Sequence, residues 1–128
     1  MTVERPRWTR ETRAAANLIK KTLAASRAGA VAVELHAITD PHMRKLNRRY
    51  RGKDEPTTVL SFPAPADFPG RPGVRHLGEI YLAPATAVRR GQSLRFLAIH
   101  GLFHLLGYTH RGKRDTIEME AAERRALR

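Results

Sequence analysis

The first regular pattern in the chain is a helical one. Within residues 10–27 the positions of one face recur three and four residues apart, as they do along an amphipathic α-helix: Ala15, Leu18, Ile19, Thr22 and Leu23. Thr9 is a suitable N-cap for this helix, and Gly29 is a suitable end. The pattern therefore predicts a helix with its apolar face against the rest of the domain.

Three shorter segments have the patterns of β-strands. Apolar and other residues alternate over residues 31–38, while residues 58–62 and 77–82 are short runs rich in apolar side chains. Residues 63–73 contain four of the eight prolines in the chain and predict a loop between the last two strands. A loop of this length indicates an edge with a function.

Two further helices are predicted by their caps. Asp40 followed by Pro41 is typical of an N-cap with proline at the first helical position. Ser93 is a suitable cap for the strongly apolar residues 94–106, and Gly107 is expected to end that helix.

The order of these elements predicts the fold class. A last helix is expected over residues 114–127, which gives the order helix, strand, helix, strand, strand, helix, helix. This order is typical of an α/β (α+β) fold with helices packed on a small mixed sheet. The length of 128 residues is that of one domain, and we expect residues 1–128 to form it, with residues 1–9 as a flexible tail.

Composition adds a strong positive charge to this picture. The 24 Lys and Arg outnumber the 12 Asp and Glu, which gives a formal net charge of +12. Residues 1–30 and residues 40–53 each carry a surplus of five positive charges. The hydrophobic fraction of 41% is sufficient for a packed core, so the charge does not indicate a disordered chain. A polyanionic partner is expected, most simply nucleic acid.

The absence of cysteine excludes several classes of protein. A chain without Cys is not a disulfide scaffold, a thiolate zinc finger, an iron–sulfur protein or a cysteine-dependent enzyme. No apolar run approaches the roughly 20 residues of a membrane-spanning helix, and the first residues lack the apolar core of a signal peptide. We therefore expect a cytoplasmic protein with no membrane partner.

Three of the six histidines have the spacing of a metal site. His100 and His104 are four residues apart in the predicted apolar helix, so both imidazoles project from one face. Gly107 lets the chain leave the helix, and His110 follows three residues later. Three imidazoles and a water form a usual catalytic zinc site, although Ni²⁺, Co²⁺ and Fe²⁺ accept the same ligands. The spacing predicts one Zn²⁺ bound by His100, His104 and His110.

The residue after the first histidine weighs against one class of enzyme. The spacing HxxxHxxGxxH is also that of metzincin proteases, which carry Glu directly after the first His as the general base. Here that position is Gly101. The metal cradle of a protease is therefore predicted without the group that activates its water, which leaves another hydrolysis open.

Two long motifs resemble those of the bacterial YbeY endoribonuclease (rRNA maturation factor) family. Residues 100–110, HGLFHLLGYTH, are similar to the family's HGxLHLxGYDH signature, and residues 46–63, LNRRYRGKDEPTTVLSFP, are similar to its LNxxYRxKDxPTDVLSFP. Residues 77–80 resemble the family's LGDI strand, and Met119 and Glu123 match a weaker MxxxE pattern. These blocks occur in the family's order and span well over half of the chain.

The resemblance implies an activity, a cofactor and partners. It implies a zinc-dependent, single-strand-specific endoribonuclease that acts in 16S rRNA 3′-end maturation and ribosome quality control, with Zn²⁺ on His100, His104 and His110. It also implies a functional role for Arg51, which we assign to binding the phosphate as negative charge grows on it. The implied partners are RNA, the small ribosomal subunit and ribosome assembly factors.

The sequence departs from the family pattern at three acidic positions. Thr109 stands where the family usually has Asp, Thr58 stands where Asp is frequent, and Glu79 replaces the Asp of LGDI. Two candidates for a general base or for a partner of the ligand histidines are thereby lost. We interpret Glu79 as a strand carboxylate paired to a nearby Arg, and we predict that His36 is exposed.

Other functions remain open from the residues themselves. One is a zinc hydrolase of peptides or small esters, which Gly101 and the net charge weigh against. Another is a non-catalytic RNA-binding assembly factor with a structural metal, which a fourth protein ligand would indicate. Phe62 and Tyr108 are candidates to stack on RNA bases, with core packing the stronger interpretation for Phe62.

Overall fold

The computed structural model describes residues 9–25, 30–65, 67–107 and 113–127, with only the backbone described for residues 113–118. Its elements in chain order are α1 (Arg10–Ala25), β1 (Val31–Ala37), α2 (Asp40–Arg51), β2 (Val59–Pro63), β3 (Arg75–Leu82), α3 (Pro84–Arg89), α4 (Leu94–Leu105) and α5 (Lys113–Ala126). The predicted α+β class is confirmed. Residues 1–8 of the predicted tail and Gly29 lie outside the described residues.

The predicted elements agree with the observed ones, with one addition. α3 is absent from the predicted order because its six residues are too few to show a helical period. Its local signal is Pro84 in the first turn, where the missing N–H costs no helical hydrogen bond. Among the described helices, none has both the length and the apolar composition needed to cross a membrane.

β3 lies at the centre of a three-stranded sheet with the order β1-β3-β2. β1 is parallel to β3, and β2 is antiparallel to it. α2 and β2 lie between β1 and β3 along the chain, which provides the long connection that a parallel pair requires. The predicted mixed sheet is therefore confirmed, and β2 is one of its edges.

A bulge in the β1–β3 pairing lies beside Gly78. Ala32 pairs with His76 and Val33 pairs with Gly78, so Leu77 is the extra residue. Gly78 has a φ of 142°, and a Cβ built there would lie 2.1 Å from the carbonyl oxygen of Phe62. Glycine is therefore required at this position by both conformation and space.

The sheet separates two apolar clusters. The larger lies between the sheet, α1 and α4, and its fully buried members include Ile80, Leu82 and Leu102. The smaller lies on the opposite face with α2, and it is built from Ile38, Met43, Leu60 and Ala83. α2 and α4 thus cover opposite faces of the sheet, and both reach the edge formed by β2.

Close contact between α4 and the sheet depends on Gly101. A Cβ built at Gly101 would lie 3.1 Å from Ile80 Cγ2 and 3.5 Å from Val59 Cγ2. The absence of a side chain lets α4 lie directly on β2 and β3. This packing fixes the height of α4 above the sheet, and with it the positions of the residues on either side of Gly101.

The predicted caps of α1 and α4 are confirmed, whereas that of α2 is wrong. The N–H of Thr12 donates to Thr9 Oγ1 at 3.3 Å, and the N–H of Phe96 donates to Ser93 Oγ at 3.4 Å. In α2 the N-cap is Thr39, and Asp40 is the first helical residue.

Asp40 does not cap α2 because it has stronger partners elsewhere. Its carboxylate accepts hydrogen bonds from Thr86 Oγ1 at 2.7 Å and from the Arg89 guanidinium at 2.6 Å. Both donors belong to α3, the helix that the sequence pattern did not reveal. Asp40 therefore ties the start of α2 to α3.

Candidate functional site

A groove with a volume of about 670 Å³ runs along the β2 edge of the sheet. Its walls come from the last turn of α2, from residues 57–63 and from one face of α4. Three residues singled out from the sequence line it together: Arg51, His100 and His104. α2 and α4 lie on opposite faces of the sheet. Both reach its edge strand β2, and the three side chains therefore line the same groove.

The two α4 histidines face each other in this groove. Their Nε2 atoms are 3.0 Å apart, and the ring planes are nearly perpendicular at 83°. The predicted projection of both imidazoles from one helix face is therefore observed. His110 lies outside the described residues, so its place as the third ligand stays a prediction.

A buried carboxylate lies behind His100. Glu123 of α5 has a side chain only 5% exposed, and its Oε1 is 3.2 Å from His100 Nδ1. A carboxylate at this nitrogen favours the tautomer with a proton on Nδ1, so that Nε2 faces His104 with its lone pair. Metal-binding histidines in proteins commonly have such a carboxylate partner. The donor set therefore fits a divalent ion held by Nε2 of both histidines.

The role of Glu123 was only weakly indicated by the sequence. Met119 and Glu123 both match the short MxxxE pattern, and both are buried, at 0% and 4% exposed. A buried acid is unusual, since an unpaired buried charge is costly. Twenty-three residues separate Glu123 from His100, so local patterns do not reveal their contact.

Arg51 occupies the last position of α2, and a left-handed turn follows it. Gly52 has a φ of 70°, and its N–H donates to the carbonyl of Arg48. This turn ends the helix and leaves Arg51 exposed on the groove wall. Among the described residues, no carboxylate lies within ion-pair distance of Arg51.

Two neighbouring arginines of α2 have an acidic partner instead. Arg44 forms a bidentate pair with Asp54 at 2.8 and 2.9 Å, and Arg48 lies 3.9 Å from the same carboxylate. The hydrogen bond from Arg44 holds the pKa of Asp54 below its ordinary value. The same bond raises the pKa of Arg44. Arg51 is thus an arginine of this helix that is available to an anion in the groove.

Two aromatic side chains, those of Tyr50 and Phe62, line the groove. The rings of Tyr50 and Phe62 meet edge to face with centroids 5.0 Å apart, and Phe62 also contacts Tyr81. Phe62 is half-buried, in agreement with core packing, whereas Tyr50 is 56% exposed. Tyr108 lies outside the described residues.

At Thr58 and Gly101 the groove lacks the acidic side chains that similar motifs carry. Thr58 is 6% exposed and lies in the groove wall, at the position where the similar motif has Asp, so no carboxylate enters the groove there. Gly101 lies against Ile80 and Val59, and the space for a Glu side chain there is taken by the sheet. Thr109, the other departure from the pattern, lies outside the described residues.

A second group of possible metal ligands lies on the face of the sheet that α2 partly covers. Donor atoms of Glu34, His36 and Glu79 lie within 4.8 Å of one another. The prediction that His36 is exposed was wrong, because its ring is stacked on Tyr81 and its side chain is 14% exposed. The prediction that Glu79 pairs with an Arg was also wrong, since its carboxylate accepts a hydrogen bond from Tyr81 and otherwise lies nearest to the His36 ring, at 3.7 Å.

The sequence matches a known family along nearly all of its length. A family model described as Endoribonuclease YbeY matches residues 2–128. A protein named Endoribonuclease YbeY from Rhodopseudomonas palustris is 38% identical over 141 aligned positions, which cover 98% of this chain and 73% of the relative. One of the same name from Moorella thermoacetica is 39% identical over 114 residues, covering 78% of this chain and 73% of the relative.

Another relative of that name is longer than this chain. The Endoribonuclease YbeY of Chelativorans sp. is 44% identical over 98 residues, and the matched part is 69% of this chain but 59% of the relative. The solution structure of TM1509 from Thermotoga maritima superposes with a TM-score of 0.61 and covers 98% of this chain and 84% of that one. Its sequence identity is 23%, so this likeness shows a shared fold.

Proposed function

The chain belongs to the YbeY endoribonuclease family, and we propose that it is a metal-dependent endoribonuclease that cleaves single-stranded RNA in the groove along β2. The observation that carries the proposal is the meeting of Arg51, His100 and His104 in one groove. A histidine pair for a metal ion and a guanidinium for a phosphate are the two parts that phosphodiester hydrolysis requires.

In this proposal His100, His104 and the predicted third ligand His110 hold one Zn²⁺. When bound, the ion lowers the pKa of a water molecule toward neutrality and supplies a nucleophile and positive charge beside the phosphate. Glu123 keeps the proton of His100 on Nδ1 and holds the ring in place through their 3.2 Å contact. Glu123 acts as a positioning residue, because its carboxylate is buried behind the histidine.

Arg51 is the proposed anion-binding group. A guanidinium can donate two parallel hydrogen bonds to the non-bridging oxygens of a phosphate, and these strengthen as negative charge grows. The exposed ring of Tyr50 beside it offers a surface on which a neighbouring base can stack. Together they select a phosphate in a flexible single strand, whose bases are free to leave the helical stack.

The proposed substrate is rRNA, with 16S rRNA 3′-end maturation and ribosome quality control as the setting. The net charge of +12 supports a polyanionic substrate, and residues 40–53 place part of the surplus next to the groove. The small ribosomal subunit and its assembly factors are the proposed partners, and the cytoplasm is the proposed compartment. A peptide substrate is disfavoured because the Glu that metzincin proteases use as a general base is replaced by Gly101. The sheet occupies the space that its side chain would need.

Metal removal tests the reaction class. We expect the purified protein to cut a labelled single-stranded RNA, to lose this activity in excess chelator, and to regain it when Zn²⁺ is added back after dialysis. A single-stranded DNA of the same sequence and an unstructured peptide serve as matched substrates. Cleavage that continues in excess chelator, or equal cleavage of the peptide, would rule out the proposed chemistry.

Substitution of Arg51 tests the phosphate contact. We expect Arg51→Ala to lower kcat for RNA cleavage by roughly 100-fold or more, since the lost hydrogen bonds act mainly in the transition state. Arg51→Lys should recover part of the loss, because it keeps the charge without the bidentate fork. Arg48→Ala, which removes one positive charge from the same helix, is the control. Equal activity of the Arg51→Ala and Arg48→Ala variants would exclude a specific role for Arg51.

A further inference from the structure

Three polar side chains converge on the sheet face opposite α4. Glu34 pairs with Glu79 across the parallel strands β1 and β3, and His36 follows two residues later on the same face of β1. Ile80, the neighbour of Glu79, contacts Gly101 of α4, so Glu79 points to the other side of the sheet. The group is therefore separated from the histidines of α4 by the sheet itself.

The spacing within this group differs from that of hydrogen bonds. His36 Nε2 lies 3.5 Å from Glu34 Oε2 and 3.7 Å from Glu79 Oε1. N–H···O hydrogen bonds span about 2.7–3.2 Å. Two ligands of one tetrahedral ion, each bonded at about 2.0–2.2 Å, lie about 3.3–3.6 Å apart. The observed separations are thus closer to those of ligands around an ion than to those of a direct bond.

The imidazole nitrogen at the centre of the group is buried and unsatisfied. His36 Nε2 has essentially no accessible surface, and it has no hydrogen-bond partner within the described part of the chain. Burial of a polar nitrogen without a partner is costly, and such an atom requires an explanation. Here the nitrogen is directed between two carboxylates. A cation bound at this point would contact the nitrogen and both carboxylates.

Neighbouring side chains hold two of the three residues in place. The Tyr81 ring is stacked on His36, with centroids 4.7 Å apart and planes inclined by 18°. The Tyr81 hydroxyl donates to Glu79 Oε2 at 3.2 Å, so that Oε1 is the oxygen directed to His36. Outer contacts of this kind orient ligands before a metal binds.

We propose that Glu34, His36 and Glu79 form a second site for a divalent transition-metal ion, which links β1 to β3. One imidazole nitrogen and two carboxylate oxygens are a donor set that Zn²⁺ and Mn²⁺ accept, with the remaining positions left for water. None of these residues enters the proposed cleavage of RNA. The ion would strengthen the pairing of the two strands by binding the folded sheet alone.

Counting bound zinc tests this site separately from the α4 histidines. After removal of metal by chelator and dialysis, calorimetric titration with Zn²⁺ should give two ions per wild-type chain. His104→Ala and His36→Gln should each retain one. If the α4 site were absent, the same three proteins would bind one, one and none. If the second site were absent, they would bind one, none and one, and that result overturns the proposal.

Milder variants guard against loss of folding. In the His104→Ala protein, Glu79→Gln should weaken the remaining zinc site by at least about tenfold, and Tyr81→Phe should weaken it by roughly 10–100-fold. Glu55→Gln, which removes the same charge from an exposed position, is the matched control. Circular dichroism establishes that each variant is folded. Affinities that match the Glu55→Gln control would mean that His36 is simply a histidine paired with two carboxylates.

Discussion

At the scale of single residues, the contact between Glu123 and His100 connects the interior of the protein to the proposed chemistry. Glu123 is nearly fully buried, and its Oε1 lies 3.2 Å from the Nδ1 of His100. A neutral amide in its place can still form a hydrogen bond, but it lacks the negative charge that strengthens a histidine as a metal ligand. The carboxylate is therefore expected to matter for metal affinity more than for folding.

We predict that Glu123→Gln lowers zinc affinity and RNA cleavage by roughly 10–100-fold, the usual effect of removing a carboxylate partner from a ligand histidine. Glu120→Gln, at an exposed position of the same helix, should change neither. Zinc affinity measured by competition with a chromophoric chelator reports the effect directly. If Glu123→Gln and Glu120→Gln bind zinc equally well, the contact has no part in metal binding.

At the scale of helices and strands, Asp40 joins α2 to α3. Burial raises the pKa of Asp40, but hydrogen bonds from Thr86 and Arg89 and the positive charge of Arg89 together outweigh it, so the pKa is lowered from 3.8. A carboxyl group with a lowered pKa in the folded state stabilises it fully above pH 3.8, and this contribution is lost as the pH falls below that value.

Substitution of Asp40 should therefore destabilise the protein in a pH-dependent way. We expect Asp40→Asn to lower the free energy of unfolding by about 1 kcal/mol at pH 7, a modest value because the Arg89 side chain is largely exposed. The difference between wild type and variant should shrink as the pH falls below 3.8. Denaturant unfolding at pH 7 and at pH 3 measures both values. A difference that grows toward low pH would contradict this role.

The elements that the sequence predicts well are those with local signals. α1 and α4 have caps, and each is long enough for its apolar residues to indicate a helix. Both end within two residues of their predicted bounds. α3 has six residues and no period to detect. Asp40 looks like a cap in sequence because its partners, Thr86 and Arg89, are 46 and 49 residues away.

At the scale of the whole molecule, the site depends on contacts that no local pattern contains. The histidines of α4 and Arg51 of α2 were each identified from motifs. Their shared groove appears only in the folded protein, where β2 lies between the two helices. The expectation that His36 is exposed failed because the ring that covers it, Tyr81, belongs to the neighbouring strand β3. Strand order and register, which the sequence does not reveal, decide both outcomes.

The charge of the molecule also has a distribution that follows from the fold. Asp54 engages Arg44 and Arg48 on one side of α2, while Arg51 lies on the groove wall with no acidic partner among the described residues. The overall surplus of twelve positive charges attracts a polyanion over long range, and the groove provides the short-range contacts.

Single-turnover cleavage of single-stranded RNA by His104→Ala, measured beside the zinc content of the same preparation, tests the proposed function most directly. His42→Ala, a histidine substitution in α2 outside the groove, is the matched control. We expect His104→Ala to lose the zinc of the groove and to cut RNA at least roughly 100-fold more slowly, while His42→Ala keeps both properties. Cleavage by His104→Ala at the rate of His42→Ala would contradict a metal-dependent reaction in this groove.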